Sequence, residues 1–308
     1  MDFIIDKAHD QKTVLSYIRH TLSISSRMLT VLKQTENGIT VNGEHVTVRR
    51  VLKEGDLLCL AIDDTAERAS HNVPPSNIPL DVLYEDAHVI ALNKPPHMPT
   101  HPSHNHHDDT LANALAYRYA QSGTPFVFRP MGRLDRNTSG VVLAAKDKVA
   151  SGTLTAAIKA GEVQKTYLAI VTGELPVDGQ IHTIDCGIRR MADSVIMRIT
   201  CPDSTDPSEA SVTDYEVLAA HDGLSLVRVK PRTGRTHQIR VHFAHIGHPL
   251  LGDDLYGSLD ERIDRHALHA FSLEFPLPFA TQRLCVEAPL PQDMRALIQL
   301  YFPRFLFL

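Results

Sequence analysis

The chain has few cysteines, no long apolar run and no surplus of positive charge, and each shortage narrows what it can do. Cys59, Cys186, Cys201 and Cys285 are scattered without a C-x-x-C pair, and they read most simply as reduced, buried thiols of a cytoplasmic protein. No apolar stretch approaches the roughly 20 residues needed to span a bilayer. The opening Met1-Asp2-Phe3-Ile4-Ile5-Asp6 is acidic and lacks the basic and apolar regions of a signal peptide. No membrane partner is therefore expected. There is no internal repeat, no G-x-S-x-G elbow and no catalytic-cysteine motif, which removes the common serine and cysteine hydrolase readings.

Net charge is −5, which at first argues against nucleic acid, but distribution outweighs the sum. Between Gly223 and Leu251 there is no acidic residue, while Arg228, Lys230, Arg232, Arg235 and Arg240 are all present. Such a stretch suits phosphates on a protein that is acidic overall. With 308 residues and 43% hydrophobic content, the chain is long enough for two domains, one with a substantial core.

Three units are expected along the chain. In residues 1–62, Val14, Leu15, Ile18, Leu22, Met28, Leu29, Val31 and Leu32 recur at helical spacing over two short segments. Asn37-Gly38 then leads into a hairpin at Ile39 to Gly43, with further strands expected over Val46 to Leu52 and Leu57 to Ile62. Residues 63–79 are polar and proline-rich and read as a linker. In residues 80–308, many short strands and few long helices predict an α+β domain around a mixed, mainly antiparallel sheet. Expected strands include Val82 to Tyr84, His88 to Leu92, the Lys165 segment, Val212 to Val217 and Leu224 to Val229, with a helix at Ser151 to Ala160. A loop with His97, His101, His104, His106, His107, Asp108 and Asp109 holds zinc-type ligands. Without i, i+4 spacing, and with prolines interrupting it, it reads as a polar surface loop, so no metal is expected.

The chemistry concentrates in Gly132-Arg133-Leu134-Asp135-Arg136-Asn137-Thr138-Ser139-Gly140. A carboxylate between two arginines favours its charged form, and guanidinium groups suit phosphates. By itself an R-x-D-R would be a surface ion pair. The longer run, with the apolar Val141 to Ala145 behind it, resembles the active-site signature of the RluA/RluD-type RNA pseudouridine synthases, roughly H-R-L-D-x-x-T-S-G. Gly132 departs from the usual histidine. Leu83 to Ser103 resembles the opening of the family's synthase domain, with Lys94-Pro95 and His101-Pro102 in its frame, and the segment Lys165-Thr166-Tyr167-Leu168-Ala169 resembles the family's K-x-Y-L-A. Val229 to Gly257 is similar to its L-x-T-G-R-x-H-Q-I-R-x-H…G-D-x-x-Y-G pattern, and Arg265 to Pro278 to its closing R-x-x-L-H-A-x-x-L-x-F.

This resemblance implies that Asp135 is the catalytic aspartate, that Tyr167 stacks on the target uracil and assists proton removal, and that Arg235 pairs with Asp135. It implies an RNA partner, ribosomal RNA of the large subunit ahead of transfer RNA, and no cofactor. Arg133, Arg136, Arg232 and Arg240 are expected to contact RNA, Arg133 by holding or replacing the flipped uridine. Residues 1–62 resemble the alpha-L RNA-binding module, in which the second helix and the Val41-Asn42-Gly43 turn face RNA, bringing in Arg27 and Asn42. Thr13 to Asp56 holds only six Lys/Arg against four Asp/Glu, so a packing role for the module stays open. A monomer is expected. The competing readings are a non-catalytic RNA-binding or ribosome-assembly factor on the same scaffold and a hydrolytic RNA glycosylase.

Overall fold

The computed structural model describes residues 1–22, 24, 26–62, 73–124 and 126–305; the side chain of Arg27 lies outside the described residues. Two sheets organise the chain. The smaller has the order β1-β4-β2-β3, all antiparallel, from β1 (Asp2–Ile4), β2 (Ile39–Val41), β3 (Glu44–His45) and β4 (Leu57–Leu60). It packs Ile39, Val41, Leu58 and Leu60 against Val14 and Ile18 around α1 (Val14–Ser16), and against Leu29 and Leu32 of α2 (Ser26–Gln34). The strand expected over Val46 to Leu52 is absent. Its carbonyls Val48 O and Arg50 O instead accept from the Leu15 and Val14 amides, each at 2.9 Å. They cap the first helical turn, whose amides have no partner within the helix.

The larger sheet has ten strands. Its path is β10 (Ile181–Asp185), β13 (Val212–His221), β14 (Leu224–Pro231), β9 (Gln164–Thr172), β15 (Leu268–Pro276), β8 (Ser139–Ala145), β6 (Val89–Lys94) and β5 (Asp81–Glu85). β16 (Arg283–Glu287) adds to β15 and β7 (Arg129–Pro130) to β8. Among the described residues only the β15–β8 pair is parallel, at His269 opposite Ser139 and Ala270 opposite Gly140. The sheet is thus mixed and mainly antiparallel, as its short alternating strands predict. A separate hairpin, β11 (Gly187–Arg190) with β12 (Arg198–Cys201), stands beside it.

Side-chain alternation on the central strands decides which helix covers which face. On β6 and β8, Ile90, Leu92, Val142 and Ala144 meet α3 (Leu111–Gln121), while Val89, Ala91, Val141 and Leu143 meet α4 (Lys148–Lys159). With both faces covered, β8 is buried along its whole length, which is why its sequence is apolar without alternation. On β9 and β14, Leu168, Ile170, Leu224 and Leu226 face α6 (Gln292–Tyr301). Ala169, Val171, Val227 and Val229 face α5 (Gln238–His245). The smaller sheet leans on this body through Val149 of α4 and through Phe3, whose ring lies 5.6 Å from Phe279.

Cys186 and Cys201 are buried free thiols, but Cys285 is exposed, contrary to the expectation that all four are covered. In the histidine-rich loop His106 pairs with Asp109 at 2.6 Å, and Asn113 of α3 donates to His107 O at 2.9 Å.

Three buried histidines make stability depend on pH. Burial pulls the His269 imidazole down to about 4, against a hydrogen bond to the Ala288 carbonyl that raises it. Burial likewise holds His266 well below, and His242 below, the usual range. The unfolded chain binds protons near pH 6.5 that the folded chain refuses, so stability is complete above that pH and is lost as pH falls toward 4. Unfolding free energy measured by denaturant from pH 7 to 5 should fall by roughly 2 kcal/mol on account of His269, with His266 and His242 adding to the loss in the same direction. A midpoint flat over that window would contradict neutral burial.

Candidate active site

The Asp135 loop is held from three sides. Lys94, fully buried at the end of β6, donates all three ammonium protons to carbonyls: Pro95 O at 2.9 Å, Met98 O at 2.8 Å and Arg136 O at 3.0 Å. Burial, and next the nearby Arg265 charge, bring its pKa down to about 7, with Asp135 opposing. The Thr100 hydroxyl donates to Leu134 O at 2.9 Å. From the C-terminal third, buried Arg265 grips Asp293 at 2.6 and 3.0 Å and donates to Asn137 O at 2.9 Å. His266 Nε2 meets the Thr138 hydroxyl at 2.7 Å, and His269 Nδ1 meets the Ser139 hydroxyl at 2.9 Å. Gly140 is required here. With φ at +111°, a Cβ would lie 2.7 Å from the Ala270 carbonyl carbon at the parallel strand junction.

The Asp135 carboxylate faces a cleft and is 28% exposed. Its charged neighbour is Arg240, with Nη1 at 3.6 Å, and His237 Nε2 lies at 3.9 Å. Arg240 is 4% exposed and is itself fixed: Nε and Nη2 form a two-pronged bond to fully buried Asp253 at 2.8 and 2.7 Å. That leaves Nη1 aimed at Asp135, a division of labour that a planar guanidinium permits and a lysine ammonium does not. Burial raises the Asp253 carboxyl, but the Arg240 hydrogen bonds and charge outweigh it and hold the group below its ordinary range. The Tyr256 ring lies under the Arg240 guanidinium at 5.2 Å, and its hydroxyl meets His237 Nδ1 at 2.9 Å.

The expected pairing of Arg235 with Asp135 is therefore corrected. Arg235 is exposed at the cleft wall, with Nε on Ala210 O at 3.1 Å and Nη2 on Pro207 O at 3.3 Å. His237 takes a left-handed turn, φ 58°, just before α5, and the inward-facing arginine comes one helical turn later. Arg240, expected at phosphates, is too buried and too fully engaged for that role.

Of the other expected RNA contacts, Arg133 is exposed, lines the cleft and has no hydrogen bond or ion pair among the described residues. Arg136 is exposed with Nε on His97 O at 3.3 Å. Arg232 is exposed but already joined to Asp214 at 2.6 Å. Asn42 is exposed; its amide donates to Asp56 at 2.8 Å and its carbonyl accepts from the Leu57 amide at 2.8 Å. Both ends of that side chain are spent shaping the turn.

Tyr167, on β9, lines the same cleft as Asp135. Burial, and then the Asp135 charge, push its phenol above its usual value, so the hydroxyl stays protonated across the working range. Lys165, two residues earlier on the same strand face, also lines the cleft. Sequence reasoning assigned no role to Lys94, Lys165, Asp253, Tyr256 or His266. All five lie inside the motif segments, so the signal was present but not their direction.

Residues 88–245 match the family model described as RNA pseudouridylate synthase. An "Uncharacterized RNA pseudouridine synthase YjbO" of Bacillus subtilis is 42% identical over 279 residues, covering 90% of this chain and 95% of that protein. A "Ribosomal large subunit pseudouridine synthase D" of Zymomonas mobilis is 34% identical, covering 86% of each chain. The solved structure of "Human RNA Pseudouridylate Synthase Domain Containing 1" superposes with a TM-score of 0.57 at 32% identity, covering 71% of this chain and 86% of that one. The chain belongs to the RNA pseudouridine synthases. Within them it is of the RluA/RluD type, an isomerase acting on RNA. Among the described residues no helix is long and apolar enough to cross a membrane.

Proposed function

We propose that this synthase converts uridine in large-subunit ribosomal RNA to pseudouridine, with Asp135 as the acting carboxylate. The observation that carries the reading is Arg240, locked by Asp253 and directed at Asp135 in a cleft shared with Tyr167. Relatives named as ribosomal large subunit pseudouridine synthases favour that RNA over transfer RNA. The target uridine flips out of its stack into the cleft, with Arg133 at the mouth holding or replacing it. Asp135 promotes cleavage between uracil N1 and the ribose, and the ring rotates and rejoins through C5. The isomerisation needs no redox step and no added group, so no cofactor enters it.

In this reading residues 80–308 form the catalytic domain, 63–79 the linker and 1–62 an alpha-L-type RNA-binding module. The protein works as a cytoplasmic monomer. Two helical segments ahead of a hairpin support the module. The weak charge balance and the engaged Asn42 make its affinity for RNA modest. Position-resolved pseudouridine mapping of total RNA from a strain lacking the protein tests the substrate. Loss of one or more large-subunit sites is expected, whereas loss confined to transfer RNA would overturn the ribosomal assignment.

Tyr167 offers a face for the flipped base, and base stacking on an aromatic contributes ~1–3 kcal/mol. Its protonated hydroxyl beside Asp135 is placed to pass a proton on. Tyr167→Phe keeps the ring, so RNA affinity should hold while turnover of bound RNA falls by at least ~10²-fold. Weakened binding with unchanged turnover would make the tyrosine an affinity contact only.

A further inference from the structure

The other buried cations of the catalytic body all have partners. Lys94 has three carbonyls, Arg240 has Asp253, and Arg265 has Asp293. Lys165 differs: it lies partly buried in the cleft with no hydrogen bond or ion pair among the described residues. Burial lowers its pKa with no opposing charge. Holding an ammonium out of water without a counter-ion is costly, and the cost is offset when an anion arrives.

We propose that the Lys165 ammonium meets the uracil ring as it leaves the ribose and takes up the charge released by cleavage of the glycosidic bond. Three features converge on this. Lys165 and Tyr167 project from the same face of β9, one pleat apart, which is roughly 7 Å. A base stacked on the Tyr167 ring therefore puts its edge toward the ammonium. The opposite wall is Gly132, where a Cβ would lie 3.1 Å from Lys165 Nζ and where φ is +146°. The position at which the family more usually has histidine is thus empty here, and the lysine head occupies that side of the cleft. Phosphates, bulky and solvated, suit the exposed Arg133 at the mouth better than this recess.

The chemistry balances without a further reactant. Whether Asp135 attacks C1′ or removes a ribose proton, the electron pair of the N1–C1′ bond leaves with the ring and spreads onto O2 and O4. When C5 bonds to C1′, the Asp135 oxygen leaves C1′ with its electron pair on the first route, and on the second the ribose carbon takes its proton back from Asp135; C5 then gives up its proton and N1 gains one. A compact ammonium donating to a ring oxygen stabilises the charge only while it exists. It therefore acts on the rate and not on affinity.

This inference rests on the assignment of Asp135 and Tyr167 to the reacting site, and the experiment separates the two. The probe is a large-subunit ribosomal RNA transcript tritiated at uracil C5, with release to water followed in a single turnover at excess enzyme, and its dissociation constant measured in parallel. Lys165→Met, of similar length and uncharged, should slow the bound complex by on the order of 10²-fold with affinity within threefold. Lys165→Gln, which keeps a donor, should lie between. If Lys165→Met fails to melt like the wild type, Lys165→Gln alone decides, with at least a tenfold loss expected. A bound-complex rate within threefold of wild type overturns the proposal whatever affinity does, and a loss of affinity alone marks Lys165 as a phosphate contact. With Asp135→Asn silent in the same assay, that failure leaves the site assignment standing; an active Asp135→Asn would bring down the assignment itself.

Discussion

Asp135→Asn is expected to abolish pseudouridine formation, by roughly 10³-fold or more, while leaving the fold and RNA affinity intact. The substitution keeps the shape and removes the anion. Asn keeps an oxygen facing Arg240 Nη1, which lies 3.6 Å from the native carboxylate, but it neither attacks the ribose nor removes a proton from it. The loop does not depend on the carboxylate for its conformation. It is held through the Leu134, Arg136 and Asn137 carbonyls by Thr100, Lys94 and Arg265. Melting should therefore be unchanged. Activity within tenfold of wild type, about 1.4 kcal/mol of barrier, would sink the assignment.

The second large effect falls on Arg240, and it is twofold. Arg240→Lys keeps a charge but cannot reach Asp253 with two prongs and Asp135 with a third nitrogen. Asp253, fully buried, then keeps an imperfect partner, while Asp135 loses the group that aims it. A misplacement of about 1 Å at a reacting group costs on the order of 10² in rate, and that is the loss expected. Arg240→Met should go further, unfolding at denaturant concentrations lower by the equivalent of ~3–5 kcal/mol, because it strands a buried carboxylate. Arg235→Lys is the control: exposed and bonded only to two backbone carbonyls through its guanidinium, it should alter RNA affinity slightly and the bound-complex rate hardly at all. If Arg235→Lys is the more damaging of the two, the correction made from the geometry is wrong.

That pair of arginines also marks where sequence stops being informative. The motif Arg235-Thr236-His237-Gln238-Ile239-Arg240 is plain in the chain, and so is the helix it opens. Which arginine turns inward depends on the left-handed backbone at His237, and nothing in residue type announces that. The strand β9 is legible as a run of β-forming residues, buried on both faces, and β13 and β14 are legible from apolar alternation. The Val46 to Leu52 segment carries strand-forming residues, yet its carbonyls serve a helix start instead; β-propensity reports a favourable surface, not a partner. The helix Leu111–Gln121 went unread beside the histidine cluster. Its signals were Thr110 with Asn113, a reciprocal cap, and Leu111, Leu115 and Tyr119 on one buried stripe. Lys94 and Asp253 were inside recognised motifs, but burial alone separates a structural charge from a substrate contact, and burial is a property of the fold.

The parallel junction of β8 with β15 has a consequence for the order of events at the ribosome. The Asp135 loop lies before the middle of the chain, yet its clamps, Arg265, His266 and His269, and the anchoring Asp293 come from the last fifth. Synthesis runs from the N-terminus, and pairing of such distant segments is slow to form. Before those segments are made, the loop is held from one side only, by Lys94 and Thr100, and the Asn137 carbonyl and the Thr138 and Ser139 hydroxyls lack the partners they have in the folded chain.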